Sequence, residues 1–504
     1  MARKWWTLVL ISTATFMLLL DVTVVNVALP DIQRELGASL SGLQWVIDAY
    51  ALTLAAFLLT AGSLGDRLGR RRVFTLGFAT FTVASFLCGI AGDPTLLNLA
   101  RGLQGVGAAA MFATSLALIG QEFQGRDRAT AFGVWGATVG GAVAVGPLVG
   151  GVLTEHLGWE WIFFVNVPIG AVAIALTERK IVNVAMPDAE PVDVPGVLAF
   201  SSALFLLIFG LIRGNPEGWG SPLIVGCLAA AAALMVLFVL IQLRSDHPML
   251  DLTLLRRPAF NGVSAVAFAI SAGMFAIFLY LTIYLQGVLD YSPLEAGLRF
   301  LPVSVLSFVA APIAGSLSHR IPIRFLLGAG MTLVGIGLLL MRGLSPDSAW
   351  TALLAGFLVA GIGIGVATPG IGQAAIAVVP VEKSGMGSGI NTTFRQAGVA
   401  TGVAALGALF QSRIDVELSE LLPGHAPGLG EVVASGGSRA AALAVAPAER
   451  HEVVAAADLA FISGLNEVIL VAAIVSFAGA ICGFLLVRAR DFVQPIDGPD
   501  DPVG

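Results

Sequence analysis

The sequence predicts an all-α polytopic membrane protein, and two observations carry this prediction. Of its 504 residues, 57% are hydrophobic and only 12% are charged, which leaves too little polar surface to cover a water-soluble globule of this size. The apolar residues form about fourteen runs, each near the ~20 residues that cross a bilayer as a helix. A transmembrane barrel would instead need short alternating strands, and these runs do not alternate.

The predicted helices follow one another along the chain with mostly short connections. The first run is too long for a signal-peptide core, so it is predicted to be the first spanning helix. An even number of helices places both termini on one side, and most Lys and Arg residues then lie on that side, which the positive-inside rule makes cytoplasmic. The predicted ranges are 5–29, 43–62, 73–92, 95–120, 130–154, 161–177, 195–212, 222–242, 260–287, 293–317, 323–342, 349–378, 385–410 and 465–487.

A basic, glycine-punctuated loop separates the second and third predicted helices, with the sequence Gly62-Ser-Leu-Gly-Asp-Arg-Leu-Gly-Arg-Arg-Arg72. Its charges exclude it from lipid, so we expect it to face the cytoplasm. A weakened copy recurs as Gly315-Ser-Leu-Ser-His-Arg320. This repeat predicts two six-helix halves with two helices inserted between them. The predicted domains are 1–180 for the N-terminal half, 181–257 for the inserted helices, and 258–504 for the C-terminal half, with a long outer loop at 411–463.

Three charged residues lie inside predicted helices at a similar depth. Asp21, Asp48 and Arg101 are each about 8–13 Å from the outer helix ends, at ~1.5 Å per residue. Charges at this depth are costly, so they are candidates for function, and a carboxylate beside an arginine suits reversible proton binding. The alternative is a fixed structural ion pair, and Asp48 is close enough to the interface to be hydrated.

The basic loop resembles the signature loop of the major facilitator superfamily, and this resemblance implies that it is part of a cytoplasmic gate. Arg101, Gln104 and Gly105 resemble the fourth-helix motif that the family links to proton coupling. The matching loop residues are Gly62, Gly65, Asp66, Arg67, Gly69 and Arg70.

A glycine-rich stretch of the fifth predicted helix, Gly146-Pro-Leu-Val-Gly-Gly151, resembles the antiporter motif of exporters in this superfamily. The matching residues are Gly146, Pro147, Gly150 and Gly151. Close helix packing alone is the alternative explanation for these small residues. The motif around Asp21 and the segment Gly158–Gly170 are similar to the fourteen-helix drug:proton antiporters, although Glu160 replaces the usual arginine. The resemblance implies the major facilitator fold, with two six-helix halves plus two inserted helices.

Five residues are candidates for a substrate cavity: Asn26, Tyr50, Gln104, Asn391 and Arg395. Arg395 is predicted near the middle of the membrane, and no acid in the ninth to fourteenth helices is an obvious partner. It could meet an anionic group or cavity water, or it could contact backbone carbonyls.

These features together predict a proton-coupled exporter of lipophilic, often cationic drugs or antibiotics. The alternatives are a dedicated exporter of a single antibiotic or metabolite and a non-transporting membrane receptor. The chain has no phosphate-binding Gly-Lys-Ser/Thr loop and no clustered catalytic set, so neither an ATP-driven pump nor an enzyme is expected. We expect no cofactor and no metal, because the proton gradient would drive transport. The expected partners are a small-molecule drug or antibiotic, protons and the lipid bilayer, and no nucleic acid is expected. We expect the protein to be a monomer in the cell membrane.

Overall fold

All regular secondary structure in the described part of the chain is helical, which confirms the predicted fold class. The computed structural model describes residues 3–37, 40–182, 193–246, 248, 250–380, 383–422, 428–430, 432–434, 438 and 450–493. The helices of the first part are α1 (Arg3–Leu36), α2 (Leu40–Leu68), α3 (Arg70–Gly89), α4 (Pro94–Glu122), α5 (Gly125–Leu157), α6 (Trp161–Phe164) and α7 (Asn166–Lys180). They are followed by α8 (Val194–Glu217), α9 (Pro222–Arg244), α10 (Pro258–Ile270), α11 (Ala276–Ile283), α12 (Pro293–Arg299), α13 (Leu301–Leu317), α14 (Ile323–Met341), α15 (Leu354–Ala377), α16 (Ser384–Leu421) and α17 (Arg450–Leu486).

Twelve helical segments in the described residues are long and apolar enough to cross a membrane. Helix α5 lies outside these twelve, and α13 is a shorter apolar helix. The predicted count of fourteen is compatible with this arrangement and stays a prediction.

Two long helices extend further than the sequence predicts. Helix α16 continues past residue 410 to Leu421, and α17 starts at Arg450 rather than at residue 465. Much of the predicted outer loop is therefore helical. The apolar face of α16 continues through Phe410, Ile414 and Leu418, all buried, while charged residues occupy the other face. This amphipathic pattern lowers the average hydropathy, which is why the hydropathy pattern placed the helix end too early.

The ends of α16 and α17 are also held together by polar contacts. Arg413 Nε donates a hydrogen bond to Ser463 Oγ at 3.1 Å, and the same guanidinium pairs with Glu417 and Glu467. The rings of Phe410 and Phe461 pack edge to face, with centroids 4.9 Å apart. These contacts stabilise both helices beyond the expected membrane boundary.

The predicted ninth helix contains two irregular segments. Ser271–Phe275 and Tyr284–Val288 are π-helical and flank α11. A π-helical turn inserts an extra residue and disturbs the regular hydrogen-bond ladder, and such turns are frequent at functional sites.

The two copies of the sequence repeat occupy equivalent places in the fold. Gly62 of α2 lies so close to α16 that an added methyl group would overlap the Gly385 carbonyl. Gly315 of α13 lies equally close to α5, where a methyl group would meet the Ala129 carbonyl and Gly133. In each copy, a glycine thus allows close packing against a helix from the other half of the sequence.

The inserted helices α8 and α9 pack on each other and on α2. Phe200 and Phe238 join α8 to α9, with ring centroids 5.0 Å apart. Ser201 of α8 shares a hydrogen bond of 3.0 Å with Thr60 of α2. The larger part of α9 is exposed, as expected for a helix that faces lipid.

Candidate functional site

A buried ion pair between Asp21 of α1 and Arg101 of α4 lies at the centre of the site. Each side chain is 1% exposed. Arg101 also donates from Nε to the Val46 carbonyl of α2 at 2.8 Å, and from Nη1 to Gln104 Oε1 at 2.7 Å. The arginine therefore connects three helices, and its charge is compensated inside the protein. Two of the three charged residues predicted at one depth are brought together here.

Gln104 extends the ion pair into a network that reaches α3. Its Nε2 group donates to Asp21 Oδ1 and to Ser85 Oγ, both at 2.9 Å. The Cys88 thiol donates to Gln104 Oε1 at 3.7 Å. We did not predict Ser85 and Cys88. Their only sequence signal is a pair of small polar residues three positions apart in an apolar helix, which puts them on one face.

Aromatic rings cover the Arg101 guanidinium on two sides. Its central carbon lies 4.5 Å from the centroid of the Tyr50 ring and 5.7 Å from that of Phe163. The Tyr50 hydroxyl donates to the Leu18 carbonyl at 3.4 Å. Cation–π contacts stabilise a desolvated guanidinium, and the rings exclude water. We call Asp21, Ser85, Arg101 and Gln104 the sealed network.

Asp48 is not joined to the sealed network by any contact in the described structure. Its side chain is half-buried, and the basic group that acts on it electrostatically is Arg213 of the inserted helix α8. The rings of Trp45 and Phe209 lie 5.8 Å apart and bring the same parts of α2 and α8 together. Equal depth in the membrane therefore did not imply contact, because Asp48 lies on another side of its helix.

The glycines of the α5 motif differ in their surroundings. A methyl group on Gly146 would overlap the Thr23 side chain of α1, and one on Gly150 would lie 3.2 Å from the Val24 backbone. Around Gly151 the space is open to at least 4 Å. The Pro147 side chain lies outside the described residues. Gly146 and Gly150 thus let α5 approach α1 within one turn of Asp21.

The segment predicted as a basic loop is helical except at Gly69, which lies between α2 and α3, and it forms a second site, where Asp66 of α2 meets the N-terminus of α16. Its two carboxylate oxygens accept hydrogen bonds from the backbone amides of Gly385 and Met386, at 2.9 and 2.8 Å. These amides have no helical partner, and the residue before the helix, Lys383, provides no side-chain cap. An acid from the first half therefore caps a helix of the second half, where the helix dipole favours negative charge.

Arg70 fixes the position of the Asp66 carboxylate. Its Nε and Nη2 groups donate to Asp66 Oδ1 at 3.1 and 3.0 Å, and Nη1 reaches the Ala117 carbonyl of α4 at 3.3 Å. Gly69 has a φ of 95°, a left-handed conformation that favours glycine, and it turns the chain between α2 and α3. Gly65 faces α4, and Arg67 is partly exposed.

The predicted cavity residues lie in different surroundings. Tyr50 and Gln104 are buried in and around the sealed network, and the Asn26 side chain lies outside the described residues. Asn391 is 3% exposed and lines a cavity of about 10 Å³, together with Ser264. Arg395 is partly exposed. The structure therefore does not gather the five residues into one pocket, and their role in substrate binding stays a prediction. Among the described residues, no group of three or more His, Cys, Asp or Glu side chains could hold a metal ion.

The fold and the two sites define a multi-pass helical membrane protein, in which one half encloses a charged network and a capped helix end joins the halves. Secondary transporters are commonly built from two such repeated helical halves. The chain belongs to the Major Facilitator Superfamily, whose family model matches residues 11–403. The predicted family is confirmed.

Curated relatives agree with this assignment, and a solved structure shares the fold. Over 488 residues the chain is 35% identical to the multidrug resistance protein Stp of Mycobacterium tuberculosis, covering 94% of this chain and 91% of that protein. It is 38% identical to the puromycin resistance protein pur8 of Streptomyces alboniger over 410 residues, covering 80% of this chain and 81% of the relative. The fold also matches the crystal structure of the human organic anion transporter MFSD10, with a TM-score of 0.61 at 12% identity over 94% of this chain and 100% of that one.

Proposed function

We propose that this chain is a drug-efflux transporter that exchanges a proton for a lipophilic drug or antibiotic. Similarity to a multidrug resistance protein and to a puromycin resistance protein, each over most of the chain, supports the efflux of drugs. The antiporter motif on α5 favours export. The observation that carries the proton coupling is the buried pair of Asp21 and Arg101.

The sealed network links protonation to conformation. Asp21 and Arg101 compensate each other, and a proton on Asp21 would leave the Arg101 charge buried and uncompensated. Since both side chains are 1% exposed, a proton reaches Asp21 only when α1 and α4 separate enough to admit water. Proton binding and rearrangement of the first half therefore accompany each other, as coupled transport requires.

The Asp66 cap would act as the cytoplasmic gate in this mechanism. It holds α2 against the N-terminus of α16, with Gly62 and Gly385 in backbone contact. Opening this end breaks two charge-assisted hydrogen bonds and uncovers the first amides of α16. Alternating access then consists of the two halves rocking about a central path while this cap forms and breaks.

The remaining parts of the proposal concern the setting of the protein. It acts as a monomer in the cell membrane with both termini in the cytoplasm, and the basic residues on the terminal side support this orientation. It uses no cofactor and no metal, and the proton gradient drives transport. It carries out no catalysis on its substrate and binds no nucleic acid.

The test is substrate-induced proton movement in everted membrane vesicles that hold a preformed pH gradient. A panel of lipophilic cations, anions and neutral antibiotics is added to vesicles with the wild type, Asp21→Asn, or the control Asp127→Asn. Asp127 forms a surface ion pair with Lys4, and its side chain is 45% exposed. We expect at least one compound to dissipate the gradient with the wild type and with Asp127→Asn, but not with Asp21→Asn.

Other results would favour the alternatives. A response to one compound out of a broad panel would indicate a dedicated exporter. Binding of compounds without proton movement in any vesicle would contradict coupled export and favour a non-transporting receptor. A full response from Asp21→Asn would remove Asp21 from the coupling mechanism.

A further inference from the structure

Arg395 is a charged side chain in the first third of α16, the longest helix among the described residues. It lies eleven residues after the start of α16 at Ser384, about 16 Å along the helix axis at ~1.5 Å per residue. This is about half of the ~30 Å thickness of the hydrocarbon core. A guanidinium at this depth is costly unless water, a protein acceptor or a ligand solvates it.

The described structure provides no acceptor for this guanidinium. Arg395 has neither an ion pair nor a side-chain hydrogen bond there, and its guanidinium carbon lies 5.8 Å from the centroid of the Phe275 ring. An aromatic ring at this distance stabilises a cation only modestly and occupies none of the five N–H donors of an arginine. The side chain is partly exposed despite its depth.

A second unpaired donor lies one turn away on the same helix. Asn391 is 3% exposed, and its Nδ2 group is buried without a hydrogen-bond partner. Positions four apart lie on one face of a helix, so the amide and the guanidinium follow each other along α16. Facing them, Phe275 ends the π-helical segment Ser271–Phe275. A face with two donor groups and no acceptor is complementary to a ligand that brings acceptors.

The charge of this region has the sign that attracts an anion. Arg101, the other arginine within the membrane, is neutralised by Asp21 and cannot attract a second negative group. Arg395 has no such compensation among the described residues. The planar fork of a guanidinium also matches a carboxylate with two parallel hydrogen bonds, which gives orientation as well as attraction.

We propose that Arg395, with Asn391 one turn before it, anchors an anionic group of the transported molecule, such as a carboxylate on a lipophilic aromatic body. The substrates of this exporter therefore include organic anions, and the Phe275 ring lies where it contacts the apolar part next to the anionic group. The inference rests on the proposed export function, because it assigns the substrate class of that same transporter.

The test uses three fluorescent probes that share one aromatic body and differ in charge. They are pyrene-1-butyrate, neutral pyrene-1-butanol and a pyrenylbutyl trimethylammonium cation, titrated into the purified full-length chain. The variants are Arg395→Gln, Arg395→Lys and the control Arg324→Gln. Arg324 also lies over a phenylalanine ring, Phe325 at 4.6 Å, but it is exposed.

We expect the butyrate to bind the wild type about tenfold or more tightly than the butanol, from charged hydrogen bonds. Arg395→Gln should lose this preference while its affinity for the butanol stays the same, and Arg395→Lys should retain part of it. Arg324→Gln should behave as the wild type. Equal binding of the butyrate by Arg395→Gln and the wild type, or tighter binding of the cation, would overturn the proposal. Equal loss of all three probes would also overturn it, since Arg395 would then be structural.

Proton movement in vesicles separates this proposal from the exporter proposal. If the cation alone drives proton exchange, export is upheld and the anionic anchor is wrong. If the butyrate binds through Arg395 but no probe moves protons, the anchor is upheld and coupled export is wrong. If the butyrate both binds through Arg395 and drives proton exchange, both proposals are upheld.

Discussion

The two arginines within the membrane, Arg101 and Arg395, have opposite surroundings. Arg101 is 1% exposed, pairs with Asp21, and donates to Val46 and Gln104. Arg395 is partly exposed and contacts the Phe275 ring, with no ion pair in the described chain. The same side chain thus has a charged partner in one half and has none among the described residues in the other.

A charged residue within the membrane therefore does not by its presence indicate which function it has. A buried charge with a partner is out of reach of water, and in our proposal its protonation changes only when the helices move. An uncompensated charge that keeps accessible surface is ready for a ligand of opposite sign. In our proposals, the first half therefore provides proton coupling and the second recognises the substrate.

The largest expected effect is on stability when Arg101 is removed. Arg101→Gln leaves the Asp21 carboxylate buried without its partner, which should cost about 3–5 kcal/mol. Arg395→Gln breaks no ion pair or hydrogen bond of the described structure, so it should cost far less. The midpoint of thermal unfolding in detergent, followed by tryptophan fluorescence, measures both. Similar losses in the two variants would contradict the contrast between the two arginines.

The close approach of α5 to α1 should matter next, because it closes the protein around Asp21. Gly146→Ala places a methyl group against Thr23 and should cost about 1–3 kcal/mol through overpacking. Gly151→Ala is the matched control, since nothing lies within 4 Å of its added methyl group. Thermal unfolding of both variants checks this. A larger loss from Gly151→Ala would mean that α5 packs differently.

The Asp66 cap tests whether the end of the interface between the halves is held closed by a charge. Asp66→Ala leaves the Gly385 and Met386 amides uncapped and should weaken closure by about 1–2 kcal/mol. Spin labels at residues 68 and 383, in a background without the three cysteines, report the distance between α2 and α16 by double electron–electron resonance. We expect a larger population of long distances.

Asp127→Ala is the control for the cap, because it breaks a surface ion pair with Lys4 within the first half. It should leave the distance distribution unchanged. The same opening in both variants would show that loss of any acid at this end, rather than of the cap, separates the halves.

The smallest expected effect concerns Ser85, which is joined to the sealed network only through Gln104. Ser85→Ala removes one acceptor of the Gln104 amide and should cost about 1 kcal/mol. It keeps the Asp21–Arg101 pair, so proton coupling in vesicles should persist. Loss of coupling in a stably folded Ser85→Ala would show that the orientation of Gln104, and not the ion pair alone, controls Asp21.

Local patterns made much of the fold predictable. Hydropathy indicated most of the helices, and the basic loop and the fourth-helix motif were sufficient to indicate the superfamily. The ends of α16 and α17 were predicted wrongly, because an amphipathic extension does not raise the average hydropathy. The two broken segments around α11 also have no clear sequence signal.

Which residues are too polar for lipid can be read from the sequence, since the cost of a buried charge depends on residue type and depth. Their partners can be read only from the packed helices. Asp66 caps an amide 319 residues away, and Asp21 pairs with Arg101 while Asp48 lies near Arg213. The physical reason is that partner choice depends on how each helix is rotated against its neighbours. That rotation comes from the packing of all the helices together and not from any local stretch of sequence.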